Sequence, residues 1–93
     1  MKYRRTAGFQ KLYEALPTVR QNRVDQTMLK LELAIESGSI SAGLGLKRLK
    51  HDFWEIRAGI FDRVVFQRRG GLIEFSTVGT HDDVRRFLKN KVS

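Results

Sequence analysis

The run FWEIRAGIFDRVVFQR, residues 53–68, sets a carboxylate, Glu55, and two guanidiniums, Arg57 and Arg63, inside otherwise apolar and aromatic segments. Further on, STVGTHDDVRRF carries His81, one of two histidines in the chain. A carboxylate and an imidazole are able to exchange protons as base and acid. Guanidiniums stay charged and match phosphate oxygens in geometry. The set Glu55, Arg57, Arg63 and His81 suits cleavage of RNA by its own 2′-hydroxyl. That reaction needs a base for the 2′ proton, an acid for the leaving 5′ oxygen and cations for the phosphorane. It calls for no metal and no other cofactor. Lys47, Arg48 and Lys50 lie just upstream and would meet the RNA backbone. Each part also has a purely structural reading. Glu55 would then be a surface ion-pair partner of Arg57 or Arg63, a contact of small value. His81 would be a helix-start residue bonded to Asp82 or Asp83, and the three upstream cations a solvated basic loop.

The composition narrows the partners. Eighteen Lys and Arg against ten Asp and Glu give a net charge of +8. That balance favours nucleic acid, an acidic protein or an anionic membrane. With no Cys, disulfides, thiolate metal sites and thiol catalysis are excluded. The Gly-Leu-Gly-Leu run, residues 43–46, lacks the spacing of a phosphate-binding loop. No run approaches the about 18 apolar residues of a membrane span. A cytoplasmic protein of one domain, residues 1–93, is expected.

These side chains need elements to hold them. MKYRR suits a short strand. Phe9, Leu12, Tyr13 and Leu16 fall on one face of a helix over residues 6–16. Pro17 restarts the chain. Val24, Met28, Leu31 and Ile35 mark a second helix, over 18–36, that stops at Ser37-Gly38. A small-residue connector, 37–46, and the basic segment follow. Three strands, about 52–58, 61–68 and 72–78, have Gly-containing connections and form a meander. Thr80 caps a last helix, with Asp83 three positions later in a capping-box arrangement. The fold class is therefore α+β. A helical hairpin packs on a small antiparallel sheet, with a short C-terminal helix at the end.

Period-two alternation then sorts the strand residues. Trp54, Ile56, Val64, Phe66, Ile73 and Phe75 are assigned to the hairpin side, with Thr77 in phase with the last two. Glu55, Arg57, Arg63, Gln67, Glu74 and Ser76 are assigned to the other side, with Phe53, Val65, Leu72 and Val78. Val84, Phe87 and Leu88 of the last helix cover part of that second face.

The order of elements, with Trp54-Glu55-Ile56-Arg57, Phe61-Asp62-Arg63-Val64-Val65-Phe66 and Leu72 to Val78, resembles the RelE/ParE toxin superfamily. The Trp-Glu-Ile-Arg form is closest to its RelE/HigB-like branch. The resemblance covers residues 46–90, and the helical hairpin in pattern. It implies a toxin of a type II toxin–antitoxin pair, held inactive by a cognate antitoxin protein. Most such toxins cut mRNA in the ribosomal A site; the ParE branch poisons DNA gyrase instead, without enzymatic cleavage. An inactive family member is a third possibility. Arg63 matches the arginine of the family's second strand, implicated in phosphate stabilisation. Arg57 falls where ribonuclease members carry Lys or Arg. His81 falls near a catalytic Arg or His after the third strand. The chain departs from the pattern at Glu55, where RelE has Lys, and near Phe87, where RelE has Tyr. Thr80-His81-Asp82-Asp83 replaces a Lys-Lys pair, and its two carboxylates would repel RNA if they faced it.

Overall fold

In the computed structural model, residues 1–39 and 42–91 are described. The order is β1 (Lys2–Arg5), α1 (Ala7–Glu14), α2 (Thr18–Ser37), a short 3-10 turn (Ala42–Leu44) and β2 (Lys47–Arg48). A second 3-10 turn (Lys50–Asp52), β3 (Phe53–Ala58), β4 (Asp62–Arg69), β5 (Leu72–Gly79) and α3 (His81–Lys89) complete it. Local chemistry explains the ends. The Thr6 hydroxyl accepts the Phe9 N–H and starts α1. Gly38 ends α2 in the left-handed region, at φ 73°.

One five-stranded sheet, in the order β1-β5-β4-β3-β2, runs through the molecule. The fold class read from the sequence stands, but the sheet is mixed and larger than the expected meander. β1 lies parallel to β5, with Lys2 opposite Leu72 and Arg5 opposite Phe75. Its partner lies 70 residues away in sequence, so no local pattern indicates it. The basic segment is an edge strand and not a loop. Lys47 pairs with Glu55, and Arg48 with Trp54. A tight reversal makes this possible: His51 and Asp52 both take positive φ, 60° and 61°. Each costs about 1 kcal/mol. Contacts offset that cost: Arg48 Nη2 donates to Asp52 Oδ1 at 2.6 Å, and Gln67 Nε2 to the His51 carbonyl at 3.2 Å.

The helical hairpin packs on one sheet face as expected. Phe9, Val24, Met28 and Leu31 join Ile56, Val64, Phe66, Ile73 and Phe75 in the main core, with Trp54 packed against it. Burying each such side chain contributes about 2 kcal/mol. Leu12 departs from the sequence reading and is 45% exposed. α1 has only 8 residues, and Phe9 and Tyr13 suffice to seat it. Two strand assignments also change. The β4–β5 register slips by one after Val65: Val65 faces Thr77, yet Phe66 faces Phe75. Ser76 is the extra residue of this bulge, and a bulge reverses the phase of everything beyond it. Val78 therefore enters the main core, and Thr77 turns to the second face.

One ion pair ties the helical layer to the sheet. Asp62 is 1% exposed. It accepts two bonds from Arg20 of α2, Nε to Oδ2 at 2.8 Å and Nη2 to Oδ1 at 2.6 Å. Removing one partner of a buried pair leaves an uncompensated charge. Arg20→Met should lower unfolding free energy in a denaturant titration by about 3 kcal/mol, and adding Asp62→Leu should recover most of the loss.

Candidate functional site

Residues paired across a ladder share a face, so the register places the candidate side chains. Lys47 stands opposite Glu55, Glu55 opposite Val65, and Arg57 opposite Arg63. Arg63 in turn stands opposite Gly79, two residues before His81. Lys47, Glu55, Arg57 and Arg63 thus share the second sheet face, and His81 sits at its rim as the first residue of α3. α3 covers only part of this face. Val84 and Phe87 pack there with Phe53 and Val65, and the Phe53 and Phe87 rings meet edge-on at 5.1 Å. Phe87 is a packing residue, in agreement with the apolar stripe.

Two guanidiniums directly opposite one another repel. The structure resolves this by sending them different ways. Arg63 turns diagonally to Glu55, with Nε 3.4 Å from Oε2. Glu55 is only 8% exposed, so the pair is largely withdrawn from water and is not the surface ion pair of the structural reading. The geometry leaves Arg63 Nε buried without a hydrogen-bond acceptor among the described residues. A buried donor without a partner costs stability. Arg57 lies over Gly45, where a Cβ would come within 2.7 Å of Arg57 Nε. Gly45 also has φ +63°. The connector glycine thus makes room for a site arginine, a role its sequence context did not disclose.

α3 is held at its start by a reciprocal cap. The Thr80 hydroxyl accepts the Asp83 N–H at 3.3 Å, and Asp83 Oδ2 accepts the Thr80 N–H at 2.8 Å. Arg86 also bonds Asp83. The carboxylate of Asp83 is therefore engaged and does not stand free toward a polyanion. The Thr80 N–H lowers the Asp83 pKa against an opposing effect of burial, with help from the Thr80 hydroxyl and Arg86. His81 is exposed, and its side chain makes no hydrogen bond to Asp82 or Asp83 among the described residues.

A groove of about 1000 Å³ runs between β2 and α3. Lys47, Arg48, Leu49 and Lys50 form one wall; Asp82, Arg85, Arg86, Leu88 and Lys89 form the other. The groove lining holds six basic residues and one carboxylate, that of Asp82. Lys47, Arg48 and Lys50 all border the groove, but the Arg48 guanidinium lies over the Trp54 ring on the hairpin side of the sheet and bonds Asp52. Arg85, Arg86 and Lys89 were not singled out from the sequence. Their signal was available: Asp82, Arg85, Arg86 and Lys89 recur at i, i+3, i+4 and i+7, one stripe of a helix. Glu55, Arg57, Arg63 and His81 do not line this groove; they share the face that Lys47 borders.

No protein-family model matches the chain, and no curated protein matches it. Solved structures do. A copper-bound mutant toxin from Helicobacter pylori superposes with TM-score 0.69 at 14% identity, over 90% of this chain and 98% of that one. The toxin–antitoxin complex RelB-RelE from Methanococcus jannaschii gives 0.66 at 21%, over 94% and 98%. A YoeB/ParE toxin from Agrobacterium tumefaciens gives 0.66 at 18%, over 87% and 99%. The fold of this chain is the fold of these toxins, nearly end to end.

The Asp83 cap has a pH signature. A carboxyl with a lowered folded pKa stabilises the native state above its unfolded value, near 4, and loses that contribution as pH falls through the folded value. An NMR titration should place the Asp83 carboxyl below the ordinary carboxylate range, and amide exchange at the start of α3 should quicken as that group protonates. Asp83→Asn should abolish this pH dependence.

Proposed function

We propose that this chain is a member of the RelE/ParE toxin superfamily, and that it is the toxin of a type II toxin–antitoxin pair. Its activity in this reading is cleavage of mRNA in the ribosomal A site. The observation that carries the proposal is the gathering of Glu55, Arg57, Arg63 and Lys47 on one face of a toxin fold, with His81 at its rim. The basic groove beside that face supports it, because phosphate contacts dominate affinity for nucleic acid.

The residues divide the chemistry as follows. The RNA's 2′-oxygen attacks the adjacent phosphorus, and the Glu55 carboxylate takes the 2′ proton. The bond from phosphorus to the 5′ oxygen breaks, and the His81 imidazolium gives that oxygen a proton. A 2′,3′-cyclic phosphate and a 5′-hydroxyl result. Arg57 and Arg63 stabilise the extra charge of the phosphorane. Arg63 must swing its unpaired Nε–H, or one of its terminal nitrogens, from Glu55 toward the phosphate. Phe87 has no proton to donate, so no tyrosine takes part. Lys47, Arg48 and Lys50, with Arg85, Arg86 and Lys89, hold the flanking backbone. The partner that silences the protein is a cognate antitoxin; the RelB-RelE and DinJ-YafQ toxin–antitoxin complexes are solved examples of the same fold with an antitoxin bound. The place of action in this reading is the cytoplasm. Among the described residues no helix is long and apolar enough to cross a membrane.

Mapping of mRNA 5′ ends in a cell-free translation reaction tests this. New ends within translated codons are expected only when both ribosomes and this protein are present. Arg63→Ala, Glu55→Gln and His81→Ala should each reduce cutting by about 100-fold or more, on the order of general acid–base contributions, while antitoxin binding persists. Intact mRNA with a folded protein would defeat the ribonuclease reading and turn attention to DNA gyrase.

The groove gives a separate readout. Binding to ribosomes or RNA should weaken with salt, and each of Arg85→Ala, Arg86→Ala and Lys89→Ala should reduce the slope of log K against log salt by about 1 or less.

A further inference from the structure

The β3–β4 turn carries two adjacent large apolar residues in the open. Ile60 is 81% exposed and Phe61 is 57% exposed. An exposed apolar pair at a hairpin tip would ordinarily be mobile and expendable, yet this tip is fastened from below. Asp62, the next residue, is locked to Arg20 by the buried bidentate pair. Gly59, at φ +76°, lies so close to Arg23 that a Cβ would stand 3.1 Å from its Cδ. Two arginines of α2 therefore brace the turn that holds Phe61.

The setting is basic. The Arg57–Arg63 rung lies immediately inside the closing Ala58–Asp62 pair. Among the described residues neither Arg23 nor Arg57 has a carboxylate within ion-pair distance. A braced aromatic among unpaired guanidiniums complements a ligand that is flat and apolar on its faces and anionic along its backbone. Single-stranded RNA is such a ligand: its unstacked bases are taken up by aromatic side chains, and its phosphates by cations.

We propose that the Ile60-Phe61 tip is a nucleobase-stacking element, with Phe61 as the platform. It holds an unstacked base of the RNA so that the neighbouring phosphate meets Arg57 and Arg63. This rests on the ribonuclease reading and adds the residue that orients its substrate. Phe61 is a positioning residue and takes no part in proton transfer.

The test has two arms. In the translation reaction, Phe61→Ala should raise the protein concentration needed for half-maximal cutting about tenfold or more, within the range of base–aromatic stacking. Phe61→Trp should keep the parental value, and the melting temperature of both should match the parent, because the side chain is largely in solvent. In the second arm, the fluorescence of Phe61→Trp is read against the unaltered protein, which subtracts Trp54. A single-stranded oligonucleotide should quench the added tryptophan, and an abasic oligonucleotide of equal charge should not. Parental cutting by Phe61→Ala, or equal quenching by the abasic strand, would overturn the proposal. A blue shift with anionic vesicles and no response to the oligonucleotide would overturn it too, in favour of a membrane-facing tip. No cutting even by the unaltered protein would defeat the ribonuclease reading alone, and the fluorescence arm would still judge the tip.

Discussion

A strand must point successive side chains to opposite faces, and the architecture here follows from that constraint acting on β3 and β4. Ile56, Val64 and Phe66 go to the hairpin side and leave Glu55, Arg57 and Arg63 no choice but the other. The antiparallel register then sets Arg57 directly against Arg63. Two cations in that position are unfavourable for the sheet. The chain accommodates them with a withdrawn carboxylate for one and a glycine-lined berth for the other. The arrangement costs stability, and it concentrates positive charge on the second face of the sheet.

The second face is completed by parts with different jobs. Val84 and Phe87 anchor α3 on Phe53 and Val65. The Thr80–Asp83 box sets where the helix begins, and hence where His81 stands. The outward stripe of α3 meets the basic edge strand β2 to form the groove. A single helix thereby seals a small core, presents an imidazole and lines a basic groove. Helical rotation of about 100° per residue keeps its packing face apart from its charged face.

The opposite layer contributes at a distance. Arg20 and Arg23 of α2 brace the β3–β4 turn that follows the Arg57 position, and Arg20 also helps to lower the pKa of Asp83 at the start of α3. A buried bidentate pair is poor as a source of net stability. It is effective at holding one geometry, since two bonds in one plane fix both distance and angle.

Much of this was legible in the residues themselves. Helical spacing disclosed α1, α2 and α3, Gly-containing turns separated the last three strands, and alternation brought Glu55, Arg57 and Arg63 to one face. These patterns are local, and local patterns are what a sequence states directly. Period three to four also runs through Arg85, Arg86 and Lys89, a signal present in the sequence but not singled out from it. Tertiary structure decided the rest. The partnership of β1 with β5, 70 residues apart, the bulge at Ser76 that exchanged Thr77 with Val78, and the edge strand made from Lys47 and Arg48 depend on how strands and turns register and pack in space. So do the burial of Glu55 and the fit of Arg57 over Gly45. In each case the determining quantity is a distance in space set by register and packing, which no periodicity along the chain encodes.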